Sequence, residues 1–523
     1  MLQLSSKKHE YVTALLIALV VWFSLFMSSG SLFSGYHFTD DHEITAIHYS
    51  FVHHQSDLFE VIKQWLVADH LSGRFRPLYY IHRIIETRIF GINFFLWSLY
   101  TGILAALTTF LLFVFGKFLK LSFSAAIVLA FLTTLGAQSA IWWQLGPAET
   151  IGFFLLSVAL PFAGLSAAKS QQKMLYQSGF LVSTILMSLC KENLVVAIPA
   201  IAFIQVWLSR TNGSKTWLQA IKDNQFSLAV LGLVCLAELL FIKYFLGLRG
   251  TGYAGVEKIN FSRILLVTKT LSHYSSGWII LSAIVLIFTI NYKTNLKQSA
   301  RLLLKTIYYP FFLFILLILP QLVVYAKSDI SQRYLLPAVF GYSVLISLLY
   351  QHAKDNYKAL DNIVLGLITL SLAINLSLAW NAACVFAAEG RSTQVLLKTI
   401  TENTEVNQPI LLITHPLVYV EWNLSIKRYL SYIAHHDNLY LGTYSPQKDQ
   451  YFRKALEIYE QKSLEQISNK HQVQCIVVFP ELNNAFLKRS SDWFVKTNYQ
   501  AYVFGNFNRN LNPNSEIHLY CKK

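Results

Sequence analysis

Long apolar runs recur along this chain, and small clusters of lysine and arginine punctuate them. A helix that crosses a bilayer needs about 20 apolar residues, because no water inside the lipid can satisfy its backbone. Segments of that kind fall near 11–29, 94–115, 121–141, 150–168, 174–190, 193–209, 226–246, 277–292, 306–326, 335–351 and 361–384. They predict a polytopic α-helical membrane protein with about 11 transmembrane helices. Only 14% of the 523 residues are charged, against roughly 25% in soluble domains. That deficit excludes an ordinary soluble globule.

The basic clusters orient the spans. Lys7 and Lys8 precede the first; Lys117 and Lys120 follow the second, and Lys169 and Lys173 the fourth. Arg210, Lys215 and Lys222 follow the sixth, Lys293, Lys297, Arg301 and Lys305 the eighth, and Lys354 and Lys358 the tenth. All fall on one side of the count, so the positive-inside rule places the N-terminus in the cytoplasm and, for an odd number of spans, the C-terminus outside. The net charge of +15 is then largely topological, and no nucleic-acid-binding module accompanies it. The first span is long enough to remain as a helix after targeting.

Two regions should lie outside the membrane. The first is a loop at about 30–93, where Leu58, Val61, Ile62, Trp65 and Leu66 have helical spacing. Short helices resting on the membrane surface are expected there, with His42, His48, His53 and His54 solvated. The second region, 385–523, follows a transmembrane domain of 1–384. Strand patterns at 409–414, 474–480, 500–504 and 516–521, with helical periodicity at 450–468, predict a small extracytoplasmic C-terminal α/β domain. Cys475 and Cys521 could pair there if the compartment is oxidising; spacing alone does not decide it.

Sorting charges by side isolates a set on the outer face whose arginine and lysine members break the rule obeyed by the others. Asp40, Asp41, Arg74, Arg76, Glu149, Lys191, Glu192 and Arg333 all fall at outer ends of spans or in outer loops. Arginine forks bind phosphate in bidentate fashion, and a carboxylate beside them can take a proton from a hydroxyl. Each residue also has a plainer role. Asp40 and Glu43 have capping-box spacing, Arg74 and Arg76 could hold lipid headgroups, and Glu149 could cap a span. Lys191 and Glu192 could form an interfacial ion pair, and Arg333 could anchor at the interface beside Tyr334. No histidine or cysteine spacing matches a metal site.

Five segments carry a family resemblance: Phe38-Thr39-Asp40-Asp41, Arg74-Phe75-Arg76-Pro77-Leu78, Gly146-Pro147-Ala148-Glu149-Thr150, Leu189-Cys190-Lys191-Glu192 and Arg333-Tyr334-Leu335-Leu336-Pro337. In this order they resemble the GT-C superfamily of polyprenyl-phosphate-sugar-dependent glycosyltransferases. The likeness is to the protein O-mannosyltransferase branch, including its relatives bearing tetratricopeptide repeats, over about residues 10–350. The tail lies outside the likeness and carries no such repeats.

The resemblance implies a GT-C-like fold in a bacterial cytoplasmic (inner) membrane and an inverting transfer to an acceptor hydroxyl. A lipid-phosphate sugar would serve as co-substrate, with no cofactor or metal. The acceptor would be a glycan, a lipid or a protein. Asp40 would be the base by position, although Asp41 is the freer carboxylate if Asp40 is tied up as a cap. Arg74, Arg76, Lys191 and Arg333 would hold donor phosphate, and Glu149 and Glu192 would orient the acceptor or the cations. Two other classes compete. A transporter or flippase would use the charges as a vestibule, and Glu238 inside the seventh span fits it, but no inverted repeat accompanies Glu238. A binding protein would use the spans only as an anchor.

Overall fold

The computed structural model describes residues 2–168, 171–247, 261–274, 276–291, 296–325, 330–415, 419–443, 456–457, 461–505 and 516–523. The chain begins with α1 (Leu2–Ser29), followed by three helices of the first loop, α2 (Asp41–Val52), α3 (Leu58–Leu71) and α4 (Pro77–Phe90). Next come α5 (Phe94–Phe118), α6 (Phe123–Thr134), α7 (Ala140–Trp143), α8 (Ala148–Ala167), α9 (Lys173–Ser188), α10 (Glu192–Val195) and α11 (Ile198–Gly213). The remaining membrane-region helices are α12 (Trp217–Asp223), α13 (Gln225–Phe241), α14 (Phe261–Tyr274), α15 (Gly277–Asn291), α16 (Leu296–Tyr325), α17 (Leu336–Asn356) and α18 (Lys358–Glu402).

Each expected apolar segment is mainly helical over its described residues. Among the described residues, eight helices are long and apolar enough to cross a membrane, and the pair α6–α7, bent by 63°, raises the number to nine. α9 and α15 complete the expected set but are shorter, with 16 and 15 residues. The bend follows Gly136, whose φ of 109° suits glycine. Packing on α1 shows why these helices need lipid. Val12, Leu16, Val20, Phe23 and Met27 form an exposed apolar stripe, while Ala14, Ala18, Trp22 and Phe26 are buried on the opposite face.

The first loop folds into surface helices as expected. α3 leaves Phe59, Val67 and Leu71 exposed, which suits a helix lying at the lipid interface. His53 and His54 are exposed, as expected for solvated histidines, but His42 is buried.

The C-terminal region forms a six-stranded sheet: β1 (Ile410–Ile413), β2 (Leu439–Gly442), β3 (Lys462–Ser463), β4 (Cys475–Val478), β5 (Tyr499–Phe504) and β6 (Ile517–Lys522). The order is β3-β2-β1-β4-β6-β5. β1 pairs in parallel with β2 and β4, and β2 with β3, while β6 is antiparallel to β4 and β5. Between β1 and β2 lies α19 (Val420–Tyr432), a crossover helix of the kind that parallel neighbours require.

Four strands lie where the sequence places them, whereas β2 and α19 are additional. The expected helix at 450–468 is corrected in part. Residues 462–466 form β3 and a 3-10 turn, and most of 450–460 lies outside the described residues, as do Lys327 and much of 247–276. α18 runs through residue 384 without a break, and its end packs on the sheet. Leu396, Leu397 and Ile400 share a core with Leu412, Val477 and Leu519, and also with Tyr36 and Phe38 of the first loop.

Cys475 and Cys521 sit opposite each other on β4 and β6 and form a disulfide. Replacing both with serine is expected to destabilise the domain by about 2–5 kcal/mol. Chemical denaturation of purified protein, followed by a probe in the sheet, checks this through a lower midpoint. An unchanged midpoint would contradict it.

Candidate active site

The first loop reaches the site through a strained residue. Asp40 occupies the N-cap position of α2 with φ 63°, and its side chain makes no capping bond. Aspartate tolerates this left-handed conformation better than most residues. The carboxylate is therefore available, and its Oδ2 lies 3.4 Å from Arg333 Nη1. Asp41 turns the other way. It is 0% exposed and accepts bonds from the His37 backbone N–H at 2.9 Å and ring Nδ1 at 3.1 Å. Burial raises its carboxyl above the usual range, and the bonds and charge of His37 oppose that shift.

Arg83 on α4, a residue the sequence reading did not single out, holds this turn in place. It is 0% exposed. Its Nη1 donates to the carbonyls of Leu145 (3.0 Å) and Gly146 (2.8 Å), its Nη2 donates to the Asp40 carbonyl (2.5 Å), and its Nε lies 3.2 Å from Glu43 Oε2. Gly146 is required here, because its φ is +76° and a Cβ would stand 1.9 Å from Arg83 Nη1. Glu43 also accepts from the hydroxyls of Tyr79 (2.9 Å) and Tyr80 (3.2 Å). Burial alone would raise its pKa, but Arg83, then His42 and Arg76, hold it below the ordinary value.

The second and fourth segments meet across the loop, and the fourth pairs with the third. Arg76 forks onto Asp69 at 2.6 and 3.0 Å, and its backbone N–H donates to the same carboxylate at 2.9 Å. Glu192 accepts from the Phe75 N–H at 2.8 Å, fixing the turn that carries Arg74 and Arg76. Lys191 pairs with Glu149, both nearly buried, and its ammonium lies 4.5 Å from the centre of the Tyr334 ring. The 3-10 turn at Gln332–Tyr334 supplies Arg333.

These segments enclose one cleft of about 440 Å³. Asp40, Arg74, Arg76, Glu149, Lys191 and Arg333 all line it. Asp41 and Glu192 are not among its lining residues: the first is buried on His37, and the second braces the wall from behind. Glu43, Asp69 and Glu421 also face the cleft. Arg333 lines an adjoining cavity of about 380 Å³ as well, with Gln144, Asn381, Glu389 and Trp422. Among the described residues, no group of three or more histidine, cysteine or acidic side chains is arranged to hold a metal ion.

The missed residues left traces in the sequence. Arg76, Tyr80 and Arg83 are spaced i, i+4, i+7, so a helix beginning at Pro77 carries them on one face. Glu421 begins a run in which Trp422, Ile426 and Leu430 recur every four residues, and all three are buried.

No protein-family model matches this sequence, and no curated protein matches it. Solved structures do. ArnT from Cupriavidus metallidurans bound to undecaprenyl phosphate aligns with a TM-score of 0.52 and 11% identity, over 97% of each chain. The same protein in the apo state aligns at 0.50 and 11% identity, over 98% of each chain. The archaeal oligosaccharyltransferase AglB from Archaeoglobus fulgidus, in complex with an inhibitory peptide and a dolichol-phosphate, aligns at 0.48 and 13% identity. That alignment covers 99% of this chain and 74% of the other, and its score is too low to carry an argument. At this level of identity the ArnT likeness establishes a shared fold. The observed fold is thus the expected one, a GT-C-like polytopic helical membrane protein with a small C-terminal α/β domain.

Proposed function

We propose that this chain is an inverting membrane glycosyltransferase that moves a sugar from a polyprenyl-phosphate-linked donor to an acceptor hydroxyl, with Asp40 as general base. The observation that carries this reading is the cleft. Residues from four distant segments bring an accessible carboxylate and several cations to one end of the helices. Sharing a fold with ArnT, solved with undecaprenyl phosphate bound, supports a lipid phosphate as the leaving group.

The geometry gives each group a part. Arg333 and Arg74 receive the donor phosphate, while Lys191, paired with Glu149, and Arg76, paired with Asp69, shape the surrounding field of the cleft. The Arg333–Asp40 contact of 3.4 Å is long beside the roughly 2.7–2.9 Å of a tight charge-assisted bond. An incoming phosphate therefore competes for the guanidinium and releases the carboxylate. Asp40 then takes the acceptor proton, the acceptor oxygen attacks the anomeric carbon, and lipid phosphate departs with the bonding electrons. The two cavities that meet at Arg333 give donor and acceptor separate approaches.

The cleft and the sheet lie on the extracytoplasmic side of the membrane and the N-terminus on the cytoplasmic side. The disulfide supports that placement, since such bonds persist in oxidising compartments. The reaction requires no cofactor.

Cryo-electron microscopy of the protein with undecaprenyl phosphate tests the assignment. Phosphate density within hydrogen-bond reach of Arg333 and Arg74, beside Asp40, is expected. Phosphate density at a site remote from Asp40 would defeat the reading.

A further inference from the structure

We infer that Glu421, carried by the C-terminal domain, is a positioning residue of the active site that forms a functional carboxylate pair with Asp40. This rests on the glycosyltransferase reading and adds to it a role for the sheet domain. Glu421, Ser425 and Arg428 follow helical spacing along α19 and share one face. That face is fixed to the loop on both sides of Asp40. Ser425 Oγ donates to the Phe38 carbonyl at 2.6 Å, and Arg428 Nη1 lies 2.6 Å from His42 Nδ1. Tyr36 adds a third tie, its hydroxyl donating to the Ser425 carbonyl at 2.9 Å. One turn before Ser425, Glu421 opens into the same cleft as Asp40.

The surroundings explain why a second carboxylate matters. Facing Glu421 are Asp40 and Glu43 from the first loop, Arg74 from the turn before α4, and Arg333 from the turn before α17. Of the other cleft charges, Asp69 is held by Arg76 and Glu149 by Lys191. Burial first, and then the charge of Asp40, raise the Glu421 carboxyl to about 7. Two carboxylates in one site do not ionise independently.

The step balances around this pair. The acceptor O–H bond breaks, a bond forms from that oxygen to the anomeric carbon, and the carbon–phosphate oxygen bond breaks with its electrons leaving on lipid phosphate. The proton ends on Asp40, where the negative charge of Glu421 stabilises it.

The test compares full-length native protein with Glu421→Gln, Glu421→Asp and Asp40→Asn in membranes supplied with undecaprenyl-phosphate mannose, glucose or N-acetylglucosamine. Released undecaprenyl phosphate is measured from pH 5 to 9. Native turnover should fall about tenfold per pH unit below about 7, as Glu421 takes up its proton. Glu421→Gln should lower turnover at pH 8 about tenfold or more and move the acid limb to lower pH. Glu421→Asp should restore the limb.

A Glu421→Gln profile that keeps the native limb overturns the pair, whether turnover is native or uniformly reduced. No release from any donor by native protein would instead count against the glycosyltransferase reading. Loss in Asp40→Asn together with a native Glu421→Gln profile defeats this inference alone.

Discussion

Asp40→Asn should lower sugar transfer by about 10²–10⁴-fold, the usual contribution of a general base, while undecaprenyl phosphate still binds. The amide keeps the shape of the side chain and its place in the left-handed turn, but it takes no proton. Binding should persist because Arg74 and Arg333 are untouched and Arg333 loses only a loose partner at 3.4 Å. The informative comparison is Asp41→Asn. Asp41 is buried on His37, so its replacement should disturb the stability of the loop more than the chemistry. Transfer assays with both variants, alongside lipid-phosphate binding, separate these effects. Full activity in both would rule out a base in this pair, and a dead Asp41 variant with native folding would move the role to Asp41.

The largest effect on stability should come from Arg83→Met. This guanidinium has no exposed surface and serves three backbone carbonyls as well as Glu43. Removing it leaves Glu43 without its principal cation and takes a donor from three carbonyls, of which that of Asp40 keeps only the Glu43 N–H at 3.1 Å. Truncating one partner of a buried pair costs about 3–5 kcal/mol. Arg83→Lys should not rescue, because a single ammonium cannot reproduce the planar fork that spans Asp40, Leu145 and Gly146. Denaturation of purified variants checks the loss. A variant within about 0.5 kcal/mol of the parent, the range of an ordinary surface change, would contradict this account.

These two residues mark what the sequence revealed and what it withheld. Asp40, Arg74, Lys191 and Arg333 were visible because they fall on the outer side within the segments that carry the family resemblance, and the three cations there run against the positive-inside rule. The spans were visible because lipid forces twenty-residue apolar runs. Strands β1 and β4 were visible as short, wholly buried apolar runs. Arg83 stayed hidden because an arginine on a loop helix is unremarkable until its partners, 40 to 63 positions away, are known. Glu421 lay in a region read for its strands, and the four-residue periodicity of α19 was passed over. That Asp40 opens to the cleft while Asp41 is buried on His37 follows from a backbone dihedral, which no residue pattern encodes.

α18 has 45 residues, roughly 68 Å at 1.5 Å per residue, against roughly 30 Å of bilayer hydrocarbon. It projects well beyond the lipid as a mast, and its upper end shares a core with Tyr36, Phe38 and the sheet that bears α19. A bilayer that is thinner or thicker than the apolar part of this helix would change its tilt, and the mast would carry that change to the mouth of the cleft. Because Tyr36, Phe38 and the sheet share that core, a change of tilt would shift the first loop and the C-terminal domain together relative to the other helices.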